Sequence, residues 1–292
     1  MKFDKVLAGY IAEPRGRDGL ALAVLLAGQT HGSLTVATVQ PPVTTTPGPA
    51  RADEGAWRSY LREQAEEALA QARELAGDLL GDRAEYVRHT NKGSGRGLVE
   101  VARRRGADVV VIGSAPGGGR SRIAVGSTAD QLLHSSPVPV LLAPRGFGDD
   151  PPAAFRRITV AYRRGPGADA AVKGAAKAAV ALDIPLRLVT LVLRTGRRVR
   201  IEEEMLVRLR EQAAADLRAA ARGQRRRIQV EVELLEGRNV AQALGTTSWL
   251  PGEMIICASS DTGPLRRVFL GDTSIKIVQA ATCPVMILTR ET

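Results

Sequence analysis

Apolar residues follow two rhythms along this chain, and the rhythms recur in the same order in each half. Short unbroken apolar runs predict buried strands, and apolar positions every three or four residues predict helices. In the first half, Lys5-Val6-Leu7-Ala8-Gly9-Tyr10 is strand-like, and Leu20 to Gln29 is an Ala/Leu-rich helix. Leu34 to Val39 makes a second strand rich in β-branched residues. After a Pro/Thr loop (Pro41 to Pro49) comes a long amphipathic helix from Asp53 to Leu80. It carries Trp57, Leu61, Ala65, Ala68, Leu69, Ala72, Leu75 and Ala76 at helical spacing. Ala84 to His89 predicts a third strand, Gly97 to Arg105 a third helix, and Asp108 to Ile112 a fourth strand. A glycine-rich loop, a helix from Ser127 to His134 and a strand from Val138 to Ala143 close the unit.

The second half repeats this order. Arg157 to Tyr162, Leu186 to Leu193, Ile228 to Leu234, Glu253 to Ala258 and Pro284 to Thr289 correspond to the five strands. Gly174 to Leu182 and Glu202 to Ala221 correspond to the first and the long helix. Gly126 recurs at Gly271 and Pro139 at Pro284 with one and the same offset, an internal mark of duplication. Arg145 to Ala154, rich in Gly, Pro and Asp, reads as the linker. Two domains follow, residues 1–146 and 154–292. Strands alternating with helices predict an α/β fold: two tandem Rossmann-like domains, each a five-stranded parallel sheet flanked by helices. In such sheets ligands sit beyond the carboxyl ends of the strands at the switch point, here after strands one and four.

Composition narrows the picture. Aromatics make up only 3% of the residues, so Val, Ile, Leu and Ala must build the core, as suits strands buried on both faces. No apolar run approaches the roughly 20 residues of a membrane span. Met1 to Lys5 leads into the first strand without a signal-peptide pattern, so a cytoplasmic protein that does not enter the membrane is expected. Cys257 and Cys283 sit in apolar runs and are expected to be buried small hydrophobes. His31, His89 and His134 have no partner at ligand spacing, so no metal site is expected. The net charge of +10 gathers in Arg103-Arg104-Arg105, around Arg197-Arg198 and Arg200, and in Arg225-Arg226-Arg227. These clusters lie at helix ends and lack interleaved aromatics, so a solvated surface is favoured over nucleic-acid binding.

The chemistry gathers after the fourth strand, where Gly113-Ser114-Ala115-Pro116-Gly117-Gly118-Gly119 leads on to Gly126-Ser127-Thr128. Glycines let a backbone approach a ligand closely, and a helix opening at Ser127 offers free amides to an anion. The plainer reading is that Ser127 or Thr128 caps that helix; local chemistry leaves both open. No GxxxxGK[ST] loop is present, and Gly93-Ser94-Gly95-Arg96-Gly97, after the third strand, reads as a loop away from the switch point.

The spacing of Gly113, Pro116 with Gly117 behind it, and Gly126-Ser127 resembles the G-x2-G-x9-G-[S/T] signature of the universal stress protein family, with Pro116 at the second glycine. Val138-Pro139-Val140 and Cys283-Pro284-Val285 are similar to the family's last strand, and the resemblance covers nearly the whole chain twice. It implies adenine nucleotide alpha hydrolase-like domains, stress-linked regulation, pairing through the last strands, and ATP or AMP binding in some members. It places Gly9, Tyr10, Val39 and Ile112 near base and ribose, and Gly113, Pro116 with Gly117, Gly126, Ser127 and Thr128 near the phosphates. ATP-binding members carry an Asp just after the first strand; the matching residues here are Ile11 and Arg163. In the second half Asp261 and Asp272 would repel phosphates.

The expected protein is a non-catalytic stress-response protein whose first domain alone binds ATP. Slow hydrolysis of a bound nucleotide is the only chemistry left open, because no nucleophile–base pair is visible. The alternative is a nucleotide-free interaction module of the same fold; a third reading binds nucleic acid or an acidic partner through the arginines. Its expected partners are its own second domain, with a homodimer left open, and a regulatory partner that the residues do not identify.

Overall fold

The computed structural model describes residues 1–43, 54–165, 167–194, 200–258 and 272–288. In the first half β1 (Lys5–Gly9), β2 (Ser33–Gln40), β3 (Ala84–Thr90), β4 (Val109–Gly113) and β5 (Val140–Ala143) alternate with α1 (Pro14–Gln29), α2 (Glu54–Ala76), α3 (Ser94–Arg105) and α4 (Ser127–Ser135). The second half contains β6 (Arg157–Ala161), α5 (Ala168–Leu182), β7 (Leu186–Leu193), α6 (Arg200–Arg222), β8 (Val230–Gly237), α7 (Val240–Leu244), β9 (Glu253–Cys257), α8 (Asp272–Ala280) and β10 (Val285–Ile287). Helix α1 starts earlier than its apolar spacing suggests because Pro14 occupies the first turn, where its missing N–H has no helical partner to lose.

The strands form one sheet in the order β3-β2-β1-β4-β5-β10-β9-β6-β7-β8. Each half thus has the same order, third-second-first-fourth-fifth, and its internal pairs are parallel. The halves meet where β10 runs antiparallel to β5, Met286 facing Leu141. Both fifth strands are buried along their whole length, and pairing removes the unpaired apolar edge each would present alone.

Alternation along the strands feeds two cores. Val6 and Ala8 of β1 face the layer built by α1, α2, α5 and α6, and Leu7 faces the layer of α3, α4, α7 and α8. The long helix α2 buries small residues: Ala65, Ala68, Ala72 and Ala76 are covered, while Trp57 and Leu75 are exposed. Trp57 instead stacks on Tyr60, ring centroids 5.4 Å apart. Cys257 and Cys283 are buried free thiols, and burial pushes the Cys257 thiol up to about 12. Among the described residues no helix is long and apolar enough to cross a membrane. Arg103, Arg104 and Arg105 fill the last turn of α3, where cations complement the helix dipole. Arg197 and Arg198 lie outside the described residues.

The linker is held by two side chains of α1, the buried Asp18 and the half-buried Gln29. Asp18 accepts from the amides of Gly146 (2.9 Å) and Gly148 (2.8 Å). Gln29 accepts from the Phe155 amide at 2.7 Å and donates to the carbonyls of Phe155 and Leu182.

The halves differ most beside the third strand of each. In place of the twelve-residue α3, the second half has the five-residue α7, a helix the apolar spacing did not reveal. The chain after it covers a polar cluster instead of an apolar one. Arg187 donates to Thr159, Glu233 (2.9 Å) and Glu253 (2.7 Å), and its guanidinium lies 4.8 Å from the Trp249 ring centroid. Arg157 and the Leu250 amide hold the other Glu253 oxygen, so this fully buried carboxylate is completely enclosed by donors. Burial alone would raise its pKa, but hydrogen bonds from Arg157, Thr159 and the Leu250 amide, with the Arg187 charge, outweigh burial and hold it below the ordinary range. A depressed folded pKa adds stability above the unfolded value, about 4.3, and loses it as pH falls through the folded value. Glu253→Gln is therefore expected to cost about 3 kcal/mol in urea unfolding at neutral pH, with the gap to wild type narrowing below about pH 4.

Candidate functional site

The two crossovers that leave the sheet in opposite directions part between β1 and β4, and a cleft of about 240 Å³ opens beyond their carboxyl ends. Of the residues expected there, Gly9, Tyr10, Ile11, Val39, Ile112, Gly113, Gly126, Ser127 and Thr128 line this one cleft. Pro116 and Gly117 do not. The Ala115 amide donates to the Ala124 carbonyl and the Ala124 amide to Ser114 Oγ, so the β4–α4 loop closes on itself and carries Pro116 and Gly117 away from the wall.

Several glycines here answer first to packing. A Cβ on Gly113 would fall 1.9 Å from the Arg15 carbonyl oxygen, and one on Gly16 1.9 Å from that of Ile11. One on Gly9 would meet Leu98 Cδ1 at 2.6 Å, and one on Gly126 Ala115 Cβ at 2.7 Å. The first of these contacts lets the start of α1 lie directly on the head of β4.

The capping reading of Ser127 and Thr128 does not hold. The N-cap of α4 is Gly126, which has no side chain, and no side chain caps the helix. Ser127 is the first helical residue, and the leading amides of a helix have no partner within it. Thr128 instead shares a 2.6 Å hydrogen bond with Ser94 Oγ.

Ser94 is a correction as well as a contact. The stretch Gly93 to Gly97, expected to be a loop, contains the first turn of α3, and Ser94 and Leu98 line the cleft. Its glycines permit close helix packing: a Cβ on Gly95 would sit 2.6 Å from the Thr128 carbonyl, and one on Gly97 2.6 Å from Val39 Cγ1. Three glycines on alternate positions before an apolar stripe were the available signal. Helix α3 begins at a glycine N-cap without a side-chain cap, although the Arg96 amide takes Gln131 Oε1 at 3.2 Å. At its outer side His89 and Asn91 bond Glu100, and the His89 contact is the main cause holding that carboxyl below its usual range.

Helix α1 supplies the third start. Its N-cap is Glu13, also without a side-chain cap, and Arg15 and Gly16 reach the wall. Three helix N-termini therefore converge on one cleft, and among its described lining residues there is no Asp or Glu. The electrostatic consequence is a site that favours an anion. The remaining lining is largely apolar, with Ile11, Ala37, Val39, Leu98 and Ile112. The Thr38 hydroxyl there donates to the Tyr10 carbonyl at 2.9 Å. The Tyr10 hydroxyl is turned to Gln71 at 2.8 Å, and burial raises its pKa. Among the described residues no cluster of three or more His, Cys, Asp or Glu is placed to hold a metal ion.

In the second half α8 opens with Asp272 where α4 opens with Ser127, and Asp272 pairs with Lys276 at 2.7 Å. Asp261 lies outside the described residues.

A family model, that of the universal stress protein family, matches residues 2–144 and again 154–289. Universal stress proteins of Mycobacterium tuberculosis and Mycobacterium bovis are each 33% identical to this chain over 298 residues, covering 97% of it and 99% of the relative. Among solved structures, a universal stress protein of Archaeoglobus fulgidus is similar with a TM-score of 0.65 at 19% identity, covering 99% of this chain and 97% of its own. A Pseudomonas aeruginosa protein of unknown function gives 0.57 at 14% identity, covering 98% and 92%. At these identities the likeness is one of fold.

Because Gly113 is fixed by the Arg15 carbonyl and not by any ligand, Gly113→Ala should destabilise the ligand-free protein by about 1–3 kcal/mol. Ser127→Ala, on the open wall, should leave its denaturation midpoint nearly unchanged.

Proposed function

The chain belongs to the universal stress protein family, and on that premise we propose that its first domain binds ATP in the cleft between β1 and β4. The second domain, in this reading, binds none and serves as the first domain's structural partner. The protein is a non-catalytic stress-response module whose output depends on nucleotide occupancy.

The observation that carries this reading is the polarity of the cleft. It combines the uncapped start of α4 at Gly126-Ser127 with the starts of α1 and α3 and contains no carboxylate among the described lining residues. A phosphate chain meets unpaired amides there, and its charge is favoured by the aligned helix dipoles. The apolar part of the lining, Ile11, Val39 and Ile112, is suited to a flat base held by burial. A nucleotide joins both kinds of group in one molecule. In the second domain Asp272 puts a carboxylate at the start of α8, where it repels phosphate by Coulomb's law.

A second reading has one observation behind it. The Ile11 side chain offers no hydrogen bond to the adenine edge, so the cleft is also compatible with a nucleotide-free module of the same fold. Calorimetric titration with Mg-ATP separates the two. Binding should be measurable in the wild type and weakened at least about tenfold by Ser127→Asp. That substitution adds a carboxylate where a helix tolerates it well, so the protein should remain as stable as before. No heat of binding at millimolar ATP would leave the nucleotide-free module as the better account.

A further inference from the structure

We infer that Arg15 is the charge-reading residue of this cleft: it binds the phosphate tail of the ligand and is held by Glu13 until the ligand arrives. The inference rests on the nucleotide reading of the same site and adds to it the residue that sets selectivity for charge.

Arg15 is the one charged side chain among the described residues lining the cleft. It also stands where a cation is least favoured. It occupies the first turn of α1, at the positive end of the helix dipole, beside two other helix starts. A cation kept in that field without an anion in the cleft has only local compensation, and Glu13 provides it. Glu13 Oε2 lies 2.9 Å from Arg15 Nε, yet that Nε is buried and makes no hydrogen bond. The contact is an ion pair without hydrogen-bond geometry, which leaves a buried donor unused. Buried donors of a guanidinium are normally satisfied, and phosphate oxygens match the guanidinium fork.

The neighbouring arginines are committed elsewhere. Arg145 donates to the Gly118 carbonyl at 2.9 Å, Arg122 to the Ala280 carbonyl, and Arg120 faces Asp149 at 3.8 Å. They fasten the β4–α4 loop and the linker. Arg15 differs because it alone of these four lines the cleft, and its partner is free to leave: the Glu13 side chain keeps 48% of its surface in water and can be released to solvent at low cost. Phosphate oxygens reaching the α4 amides would then exchange with Glu13 at the guanidinium.

The test compares ATP, adenosine and inorganic tripolyphosphate by calorimetric titration against wild type, Arg15→Gln, Arg15→Lys and Glu13→Gln. Arg15→Gln should lose about tenfold or more in ATP affinity while adenosine binding stays unchanged. Arg15→Lys should retain part of the affinity, and Glu13→Gln should bind ATP more tightly than wild type. The salt dependence of ATP binding should flatten in Arg15→Gln. Unchanged ATP affinity in Arg15→Gln or in Glu13→Gln overturns the inference and leaves the nucleotide reading intact. Tripolyphosphate binding that depends on Arg15, without binding of ATP or adenosine, would uphold Arg15 and discard the nucleotide. Failure of all three probes on wild type discards both.

Discussion

The direct approach of the α1 backbone to the head of β4 is the constraint on which the rest depends. The Arg15 carbonyl stands where a Cβ of Gly113 would be, and a Cβ on Gly19 would lie 2.7 Å from the Gly113 amide nitrogen. A side chain at either glycine would push α1 away from the sheet. With α1 seated there, its first turn forms one wall of the cleft and the start of α4 another. The same helix carries Asp18 and Gln29, which hold the linker and the first residues of the second half. One close contact thus fixes the wall of the site and the anchor between domains.

Duplication gave two copies of this sheet, and joining them antiparallel through β5 and β10 disposes of both apolar edges. The copies then diverged under different demands. In the first, α3 is long enough to cover its sheet with Leu98, Val99, Val101 and Ala102. In the second, the shortened α7 covers part of that face with Val240, Ala243 and Leu244 and leaves the rest to Arg187, Thr159 and Glu253, roofed by Trp249. Buried charge is tolerable there because each Glu253 oxygen and most Arg187 donors have partners. That network substitutes for apolar packing without adding a site.

The succession of strands along the chain and the duplication were legible because buried parallel strands write themselves as apolar runs, and β4 and β9 are such runs in full. Most of the cleft was legible too, since Gly9, Val39, Gly113 and Gly126-Ser127 fall at strand ends and one helix start. What stayed hidden was contributed through backbone proximity. Ser94 was masked by flanking glycines that read as a loop, although they serve helix-to-helix contact with α4. Arg15 was masked because α1 begins at Pro14, ahead of its apolar stripe. Pro116 and Gly117 matched a motif by spacing, but a loop that hydrogen-bonds across its own base turns its tip outward. Motif spacing specifies chain distance, and the closing bonds decide which residues face inward.

The second domain contributes to the first domain's cleft without sharing its chemistry. The β4–α4 loop is fastened at Ser121, whose amide donates to the Arg145 carbonyl at 2.9 Å, and at Arg122, whose carbonyl accepts from the Arg145 amide at 3.0 Å. Arg122 also donates to the Ala280 carbonyl at the end of α8, where a helix presents its negative pole. The loop that opens into α4 is therefore fixed from outside by the linker and by a helix of the other copy. A carboxylate at the start of α8 is unsuited to phosphate, but that change does nothing to the opposite end of the same helix, where Arg122 binds. The chemistry of the helix start and the structural role of its far end are thus separable within one helix. That separation gives a physical reason for the second copy to keep its place whatever its helix start can hold.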